Sequence, residues 1–232
     1  MTTLARDRRW GGSFPGKLAA WTLLVSGLIT LAYVANAAAP SPPEDLLYRY
    51  STALAALIQY AFMLAVVLWI ARGLARPALG FRRPVSWRQA GALIFACLGT
   101  TWAISALLSV FLDAGEEQGL LPEGWNSGRG GAFLANFVVI AIVAPIVEET
   151  TYRGLGFAVV GAAAGPLGAI LVTALAFGLS HGLVVALPVL TVFGALLAWL
   201  RWTTSSVYPP MILHALFNAA ALLAAVTFGE SL

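Results

Sequence analysis

Long apolar stretches alternate with short polar segments along this chain, and most of the stretches are as long as a membrane-spanning helix. About 20 mostly apolar residues are needed for a helix to cross the hydrocarbon core of a bilayer. Seven stretches approach or reach that length, at 18–39, 51–71, 89–112, 132–156, 166–181, 183–200 and 208–228. The pattern predicts an all-α fold, a polytopic membrane bundle of about seven transmembrane helices, with six or eight as the alternatives.

The polar residues divide these helices into regions with different contents. A basic segment at 1–17 precedes the first helix, and three prolines within 40–43 separate the first helix from the second. The helices within 18–131 have their charged residues in loops, whereas those within 132–228 contain ionisable residues inside apolar stretches. We therefore expect an N-terminal segment (1–17), a group of N-terminal transmembrane helices (18–131) and a transmembrane core that carries the function (132–228).

The basic residues between the stretches predict the orientation of the chain, because cytoplasmic loops carry an excess of Lys and Arg. With seven crossings, ten basic residues fall on one side: Arg6, Arg8, Arg9, Lys17, Arg72, Arg76, Arg82, Arg83, Arg88 and Arg201. The other side has only Arg49 and Arg129, and its loop at 113–123 is acidic. The N-terminus is therefore predicted in the cytoplasm and the C-terminus outside, in an integral protein of the plasma (inner) membrane.

The first 39 residues have a second interpretation, as a cleaved signal peptide. A basic start precedes an apolar stretch that ends in Ala35-Asn36-Ala37, which resembles a cleavage site. The apolar stretch is about 20 residues long, whereas the apolar region of a signal peptide usually has about 7–15. We therefore favour an uncleaved anchor; cleavage would leave six helices and the same functional core.

Composition agrees with the membrane prediction and excludes several classes of protein. Hydrophobic residues make up 60% of the 232 residues and charged residues only 10%, whereas a soluble domain has about 25% charged residues. A soluble enzyme, a disordered chain and a nucleic-acid-binding domain are all excluded, the last because the net charge is only +3. With Cys97 as its single cysteine, the chain has no intrachain disulfide and no CxxC metal site.

Six polar residues, one of them Arg153, stand out inside apolar stretches, where an ionisable side chain costs at least about 2.5–3.5 kcal/mol and by default indicates function. Glu148 and Glu149 follow a 15-residue run, 133–147, that is apolar except at one position. His181 and His214, the only histidines of the chain, lie in later stretches, and Asn218 follows one helical turn after His214. A buried ion pair or a lone histidine can also serve packing alone, but the concentration of both histidines here favours a functional site.

Helical spacing predicts how these residues pair. Residues four positions apart share a face of a helix, so Glu149 can pair with Arg153, while Glu148 points about 100° away and is free to face another group. Pro145 cannot donate a hydrogen bond to the carbonyl four residues earlier. We therefore expect the helix to kink or loosen just before the two glutamates.

Three motifs in this region resemble those of a known family. Residues 148–154 match EExxxRG, residues 177–181 match FxxxH and residues 214–218 match HxxxN, in the order found in the CPBP family. This family comprises the CAAX prenyl proteases and bacteriocin-processing proteins, also called Abi proteins, and its members are intramembrane proteases. The resemblance covers about 90 residues, from 132 to 222, and implies that 132–228 is a CPBP-type catalytic core.

The resemblance to type II CAAX prenyl endopeptidases implies a role for each motif residue. Glu148 and His181 would hold and deprotonate the attacking water, His214 and Asn218 would donate hydrogen bonds to the oxyanion, and Glu149 would pair with Arg153. We expect no cofactor; the alternative is a zinc ion held by Glu148, His181 and His214. The implied partners are the lipid bilayer and a peptide or membrane-protein substrate.

Two alternatives to a protease remain from the residues alone. Intramembrane Glu, Arg and His also occur in ion- or proton-coupled transporters, although these usually contain inverted repeats, which the sequence does not display. The second alternative is a non-catalytic membrane scaffold.

The heights of the motifs in the bilayer raise a geometric problem. A straight helix from Pro166 would place His181 about 22 Å from the cytoplasmic side at 1.5 Å per residue, whereas His214 is much closer to that side. The motifs can meet if the 166–181 helix is short, tilted or begins inside the membrane. They can also meet if 132–160 is one long helix with Glu148 near its middle.

Overall fold

The computed structural model describes residues 14–38, 45–112 and 124–228, and every regular element in these ranges is helical. The helices are α1 (Phe14–Ala38), α2 (Tyr50–Ile70), α3 (Trp87–Leu108), α4 (Gly130–Val138), α5 (Ala144–Glu149), α6 (Phe157–Leu179), α7 (Leu187–Thr204) and α8 (Tyr208–Phe228). Two π-helical segments, Val139–Val143 and Thr150–Gly156, join α4 to α5 and α5 to α6. Short 3-10 turns at Leu46–Tyr48 and Ser127–Arg129 precede α2 and α4.

The predicted all-α membrane bundle is confirmed. Six helices of the described chain are long and apolar enough to cross a membrane, and one of them, Ser127–Leu179, has 53 residues. This element contains the fourth and fifth of the predicted stretches, which accounts for the difference from seven. At 1.5 Å per residue it would extend about 80 Å, more than twice the roughly 30 Å of a hydrocarbon core, so it cannot be one straight crossing.

Gly165 divides this long element into two arms. Its φ of 74° and ψ of 178° are non-helical, and the positive φ is a conformation that residues with a Cβ rarely adopt. Beyond it the chain runs back along the first arm, since the rings of Tyr152 and Phe177 lie 5.6 Å apart. Nearer the turn, an added Cβ at Gly161 would lie 3.6 Å from that of Ala169. The element is therefore a helical hairpin centred on Gly165.

The hairpin explains how His181 and the glutamates can lie at the same height in the bundle. Glu149 and His181 are each 16 residues from Gly165, on opposite arms. The first arm is one long helix with Glu148 near its middle, which was one of the expected solutions. The returning arm is the shorter one, ending at Leu179, so that His181 comes back to the level of the glutamates.

The predicted loosening before the glutamates is also confirmed. The π-helical segment Val139–Val143 ends one residue before Ala144-Pro145, where the proline removes a backbone donor. A second π-helical segment, Thr150–Gly156, begins directly after Glu149. Segments of this kind are rare and are frequent at functional sites. The two glutamates therefore lie on a single short α-helical piece between two π-helical segments.

The bundle has two distinguishable ends. At one, which we call the basic end, Lys17 Nζ donates to the carbonyls of Ile70 and Arg72, and the Val207 amide donates to the Gly80 carbonyl. At the other end, Asp45 pairs with Arg49 and Arg129, and these hydrogen-bonded cations, Arg49 first, lower the pKa of the Asp45 carboxyl. Helix α1 begins at the basic end, and α8 ends at the opposite one, where Leu222 packs against Leu47 and Tyr48.

The exterior of the bundle is apolar, as expected for a surface that faces lipid. Large hydrophobic side chains on three different helices are mostly exposed, including Leu23, Phe62 and Phe95. A water-soluble protein rarely exposes such extended apolar surface. Cys97 is buried in the core, where it packs as a small hydrophobic residue.

Candidate active site

Glu149 and Arg153 form the predicted ion pair at the centre of the bundle. Both side chains are completely buried, and Arg153 Nη1 lies 3.0 Å from Glu149 Oε1. Arg153 Nη2 donates to the Gly194 carbonyl of α7 at 2.7 Å. Its guanidinium also lies 4.6 Å from the centre of the Phe177 ring, a cation–π contact. The arginine therefore connects both arms of the hairpin to α7.

Gly194 makes this connection possible because it allows α7 to approach α6 closely. A Cβ at this position would lie 3.0 Å from the Ala174 carbonyl oxygen and 3.2 Å from the Phe177 ring. Any larger residue would push α7 away and with it the carbonyl that accepts from Arg153.

His214 of α8 is held by the same carboxylate. Its Nδ1 lies 3.0 Å from Glu149 Oε1, and its ring makes edge contacts with Phe177 and Phe193. Because a carboxylate only accepts hydrogen bonds, Nδ1 is assigned a proton and is the donor of this bond. Nε2 then faces Glu148, at 3.9 Å from Oε2, a separation too long for a direct hydrogen bond.

Glu148 has different surroundings from its neighbour. The Glu148 side chain is 14% exposed, whereas that of Glu149 is 0% exposed. Glu148 faces helices α2 and α8. Oε1 accepts a hydrogen bond of 2.8 Å from the Tyr60 hydroxyl of α2. Sequence reasoning missed Tyr60, whose only signal was a hydroxyl inside an otherwise apolar stretch.

His181 lies in the turn that follows α6, apart from the two glutamates. Its Nδ1 lies 2.7 Å from the Phe177 carbonyl oxygen, which assigns the proton to Nδ1 and leaves Nε2 as the basic nitrogen. The Phe177 ring touches both histidines, at 4.7 Å from the His181 ring and 5.5 Å from that of His214. Within the described ranges, His181 forms no ion pair with Glu148 or Glu149.

Asn218 lies on the same stripe of α8 as His214, as its spacing predicted. Its Nδ2 donates to the Ile140 carbonyl at 2.9 Å, in the first π-helical segment. The amide nitrogen has two hydrogens, so one of them is not used by this bond. Asn218 therefore ties α8 to the π-helical segment that precedes the glutamates.

The second π-helical segment depends on two side chains whose role the sequence did not indicate. Trp21 Nε1 donates to the Thr151 carbonyl at 3.0 Å, and Arg201 Nε donates to the Arg153 carbonyl at 3.1 Å. The sequence predicted Arg201 as a charge in a cytoplasmic loop, and this prediction is corrected. The Arg201 side chain lies inside the bundle, and the residue is only 7% exposed. It stacks on the Phe157 ring instead of facing solvent.

The zinc alternative requires Glu148, His181 and His214 to lie close together. Across residues 14–38, 45–112 and 124–228, no group of three or more His, Cys, Asp or Glu is arranged to hold a metal ion. Two ligands of one zinc ion, each about 2.0–2.2 Å from the metal, would lie about 3.4 Å from one another, whereas His214 Nε2 and Glu148 Oε2 are 3.9 Å apart. The three proposed ligands are therefore not gathered into a zinc site in the described ranges.

Comparison with known proteins agrees with the motifs. Residues 130–220 match the family described as type II CAAX prenyl endopeptidase Rce1-like. The match contains all six motif residues and leaves α1, α2 and α3 outside it. Neither the curated proteins nor the solved structures gave a match. Residues 130–220, which include the buried site, are therefore similar to a family of CAAX-type membrane proteases, in agreement with the resemblance of the motifs to the CPBP family.

Proposed function

We propose that this protein is an intramembrane endopeptidase in which Glu148 is the general base for the attacking water. The observation that carries the proposal is the contrast between the two adjacent glutamates. Glu149 is completely buried and bound to Arg153 and His214, whereas Glu148 is partly exposed and has one oxygen that no described residue binds. Paired titratable groups in different environments are a common arrangement in acid–base sites.

The proposed reaction begins with a water molecule hydrogen-bonded to Glu148 Oε2. Glu148 takes a proton from this water while the water oxygen adds to the carbonyl carbon of the scissile peptide bond. The tetrahedral intermediate then collapses, the carbon–nitrogen bond breaks, and the proton passes from Glu148 to the leaving amine. His181, with Nε2 unprotonated, supplies the second contact to the water.

The negative oxygen of the intermediate is assigned to His214 and Asn218, with His214 carrying a proton on each ring nitrogen so that Nδ1 donates to Glu149 and Nε2 donates to this oxygen. Glu149 holds the His214 ring so that Nε2 points toward Glu148, and Asn218 has an amide hydrogen in addition to the one that Ile140 accepts. Fixed donors in a site with little water stabilise such an oxyanion strongly. Arg153 holds the Glu149 carboxylate in place, which makes it part of the support for His214.

The buried ion pair itself argues against a scaffold. Glu149 Oε2 and Arg153 Nε are buried and have no hydrogen-bond partner in the described structure. A buried pair with unsatisfied atoms contributes little to stability and is often neutral or worse than apolar packing. Its presence at the centre of the bundle is better explained by the position it gives His214.

The proposed substrates are peptides whose scissile bond reaches the membrane, with CAAX-type ends as the first candidates. The test uses the purified protein in liposomes and three fluorogenic peptides: a farnesylated C-terminal Cys-aliphatic-aliphatic-X peptide, the same peptide without the lipid, and a scrambled one. We expect cleavage of at least the farnesylated peptide, and we expect it to survive exhaustive chelation. Loss of cleavage that zinc restores would instead favour the ligand set of Glu148, His181 and His214.

A further inference from the structure

The nearest side-chain partner of Glu148 comes from outside the region that matches the family. The Tyr60 hydroxyl of α2 donates to Glu148 Oε1 at 2.8 Å, in a partly buried position. Residue 60 precedes the matched residues 130–220 by 70 positions. The contact therefore joins the N-terminal helices directly to the proposed general base.

This hydrogen bond has a geometric consequence for the carboxylate. The two oxygens of a free carboxylate are equivalent and exchange by rotation of the side chain. A donor fixed on Oε1 stops that rotation and leaves Oε2 directed at the His214 side of the site, 3.9 Å from Nε2. A hydrogen bond to a charged acceptor in a poorly solvated site is also stronger than one between neutral groups.

We propose that Tyr60 is a positioning residue that orients Glu148 for its reaction with water. The proposal rests on the proposed role of Glu148 as general base. It assigns α2 a part in the site, in addition to its place as a membrane-spanning helix. Tyr60 touches neither the water nor the substrate; it acts through Glu148.

The test replaces Tyr60 with phenylalanine, which removes only the hydroxyl. We expect Y60F to lower kcat about tenfold to a hundredfold, the effect of losing a hydrogen bond to a charged group, with KM unchanged. The control is Y48F, which removes a more deeply buried hydroxyl that donates to the Gly124 carbonyl at 2.6 Å and accepts from the Asn126 amide at 3.1 Å, away from the site. Y48F should keep the parental kcat, and the Tm of both variants shows whether they are folded.

Two further comparisons separate this proposal from the proposed function. In an E148Q background, Y60F should cause no further loss of rate, because the group it positions is gone. The infrared band of the Glu148 carboxylate can be assigned by subtracting the E148Q spectrum from that of the wild-type protein. This band should shift in Y60F and stay in place in Y48F, and the measurement needs no substrate. If the wild-type protein cleaves a peptide and Y60F changes neither kcat nor the carboxylate band, the positioning role of Tyr60 is contradicted and the proposed function is not. A wild-type protein that cleaves none of the peptides, with a Y60F variant whose band shifts, would contradict the proposed function instead.

A separate cavity lies at the basic end of the bundle, between residues 81–87 and the start of α8, where its lining reaches Met211 and Ile212. It has a volume of about 560 Å³, and its lining includes Arg82, Arg83 and the aromatic residues Phe81, Trp87 and Tyr208. Arg82 and Arg83 are exposed, and Trp87 is 48% exposed. Trp and Tyr side chains are enriched at the level of lipid headgroups.

The cavity wall is held by hydrogen bonds between two loops. The Val207 amide donates to the Gly80 carbonyl at 2.9 Å, and Ser206 Oγ donates to the Arg82 carbonyl at 2.6 Å. Arg82 Nε donates in turn to the Ser205 carbonyl at 2.8 Å. The loop after α2 is thereby fixed to the start of α8.

The cations of this cavity are not neutralised by the part of the protein that the structure describes. In residues 14–38, 45–112 and 124–228, the only acidic residues are Asp45, at the opposite end of the bundle, and the two glutamates of the candidate site. None of these forms an ion pair with Arg82 or Arg83. We propose that the cavity binds the phosphate-bearing headgroup of an anionic phospholipid from the adjacent leaflet, a chemistry that matches basic pockets between transmembrane helices.

The test measures the Tm of the protein in a neutral detergent with added short-chain phosphatidylglycerol, short-chain phosphatidylcholine or inorganic phosphate. Binding to the folded state raises Tm in a saturable manner. We expect phosphatidylglycerol alone to raise it by several degrees, R83Q to abolish most of this rise, and R76Q to keep it. Arg76 is the control because it is an exposed arginine of the same loop outside the cavity lining. Equal effects of the two substitutions, or an equal rise with phosphatidylcholine or with phosphate alone, would contradict a lipid headgroup site in this cavity.

Discussion

Two neighbouring glutamates of one short helix have different surroundings because different side chains reach them. Glu149 points into the core and is bound by Arg153 and His214, whereas Glu148 points toward α2 and α8 and keeps a free oxygen. The turn of about 100° between successive helical residues produces this difference. At the scale of single residues, then, the proposed chemistry depends on which helix face each carboxylate occupies.

We expect graded losses from the other motif residues. His181→Ala should remove nearly all turnover, because it is proposed to hold the water. His214→Ala and Asn218→Ala should each lower kcat by about 10²–10³, the usual effect of losing one oxyanion donor. Steady-state kinetics of the folded variants measure these effects, and equal losses for all three would contradict the separate roles.

The buried pair should respond to substitution mainly in stability. Arg153→Ala leaves the charge of Glu149 buried without its partner, which typically costs about 3–5 kcal/mol, so its Tm and expression should fall with its activity. Replacing Glu149 and Arg153 together by neutral residues should recover part of the Tm and little of the turnover. The result that would refute this assignment is a double variant no more stable than Arg153→Ala.

Spacing along a helix was enough to predict some of these contacts and could not predict others. The Glu149–Arg153 pair and the shared stripe of His214 and Asn218 follow from separations of four residues. The bond from Tyr60 to Glu148 joins positions 88 apart in sequence, and that from Trp21 to Thr151 joins positions 130 apart. Such contacts depend on how whole helices pack, which no local pattern specifies.

At the scale of elements, the arrangement that assembles the site is the hairpin centred on Gly165. The sequence predicted a break between 156 and 166 and a helix that loosens at Pro145, and both are present. It left open whether the first arm runs past 156 or the second helix is short, and the structure has both features. Those features come from the packing of α6 against α7, where Gly194 permits close approach.

Gly165→Ala tests the hairpin. The φ of 74° with a ψ of 178° is almost exclusive to glycine, so a Cβ there should cost about 1–3 kcal/mol and lower the Tm. The control is Gly27→Ala, at a helical position of α1 with open space around the added Cβ, which should leave the Tm unchanged or slightly raised. Equal Tm values for the two variants would contradict the importance of the turn.

At the scale of the whole molecule, the two ends of the bundle differ in charge and in the loops they contain. The basic end holds Lys17, the 72–88 loop and the start of α8, and the opposite end holds Asp45 and the end of α8. With the positive-inside rule, this arrangement predicts the basic end in the cytoplasm. A reporter fused after Leu232 should then be external, and one inserted in the 72–88 loop cytoplasmic. Both reporters on the same side would mean an even number of crossings between these two points.

The measurement that tests the account most directly is the rate of peptide cleavage by a Glu148→Gln variant in liposomes. Glutamine keeps the size of the side chain and can still accept from Tyr60, but it cannot take a proton from water. Gln59→Ala, an exposed neighbour of Tyr60 on α2, serves as the control with unchanged activity. We predict a folded Glu148→Gln protein with the parental Tm and almost no turnover; a variant that cleaves at the wild-type rate would contradict Glu148 as the general base.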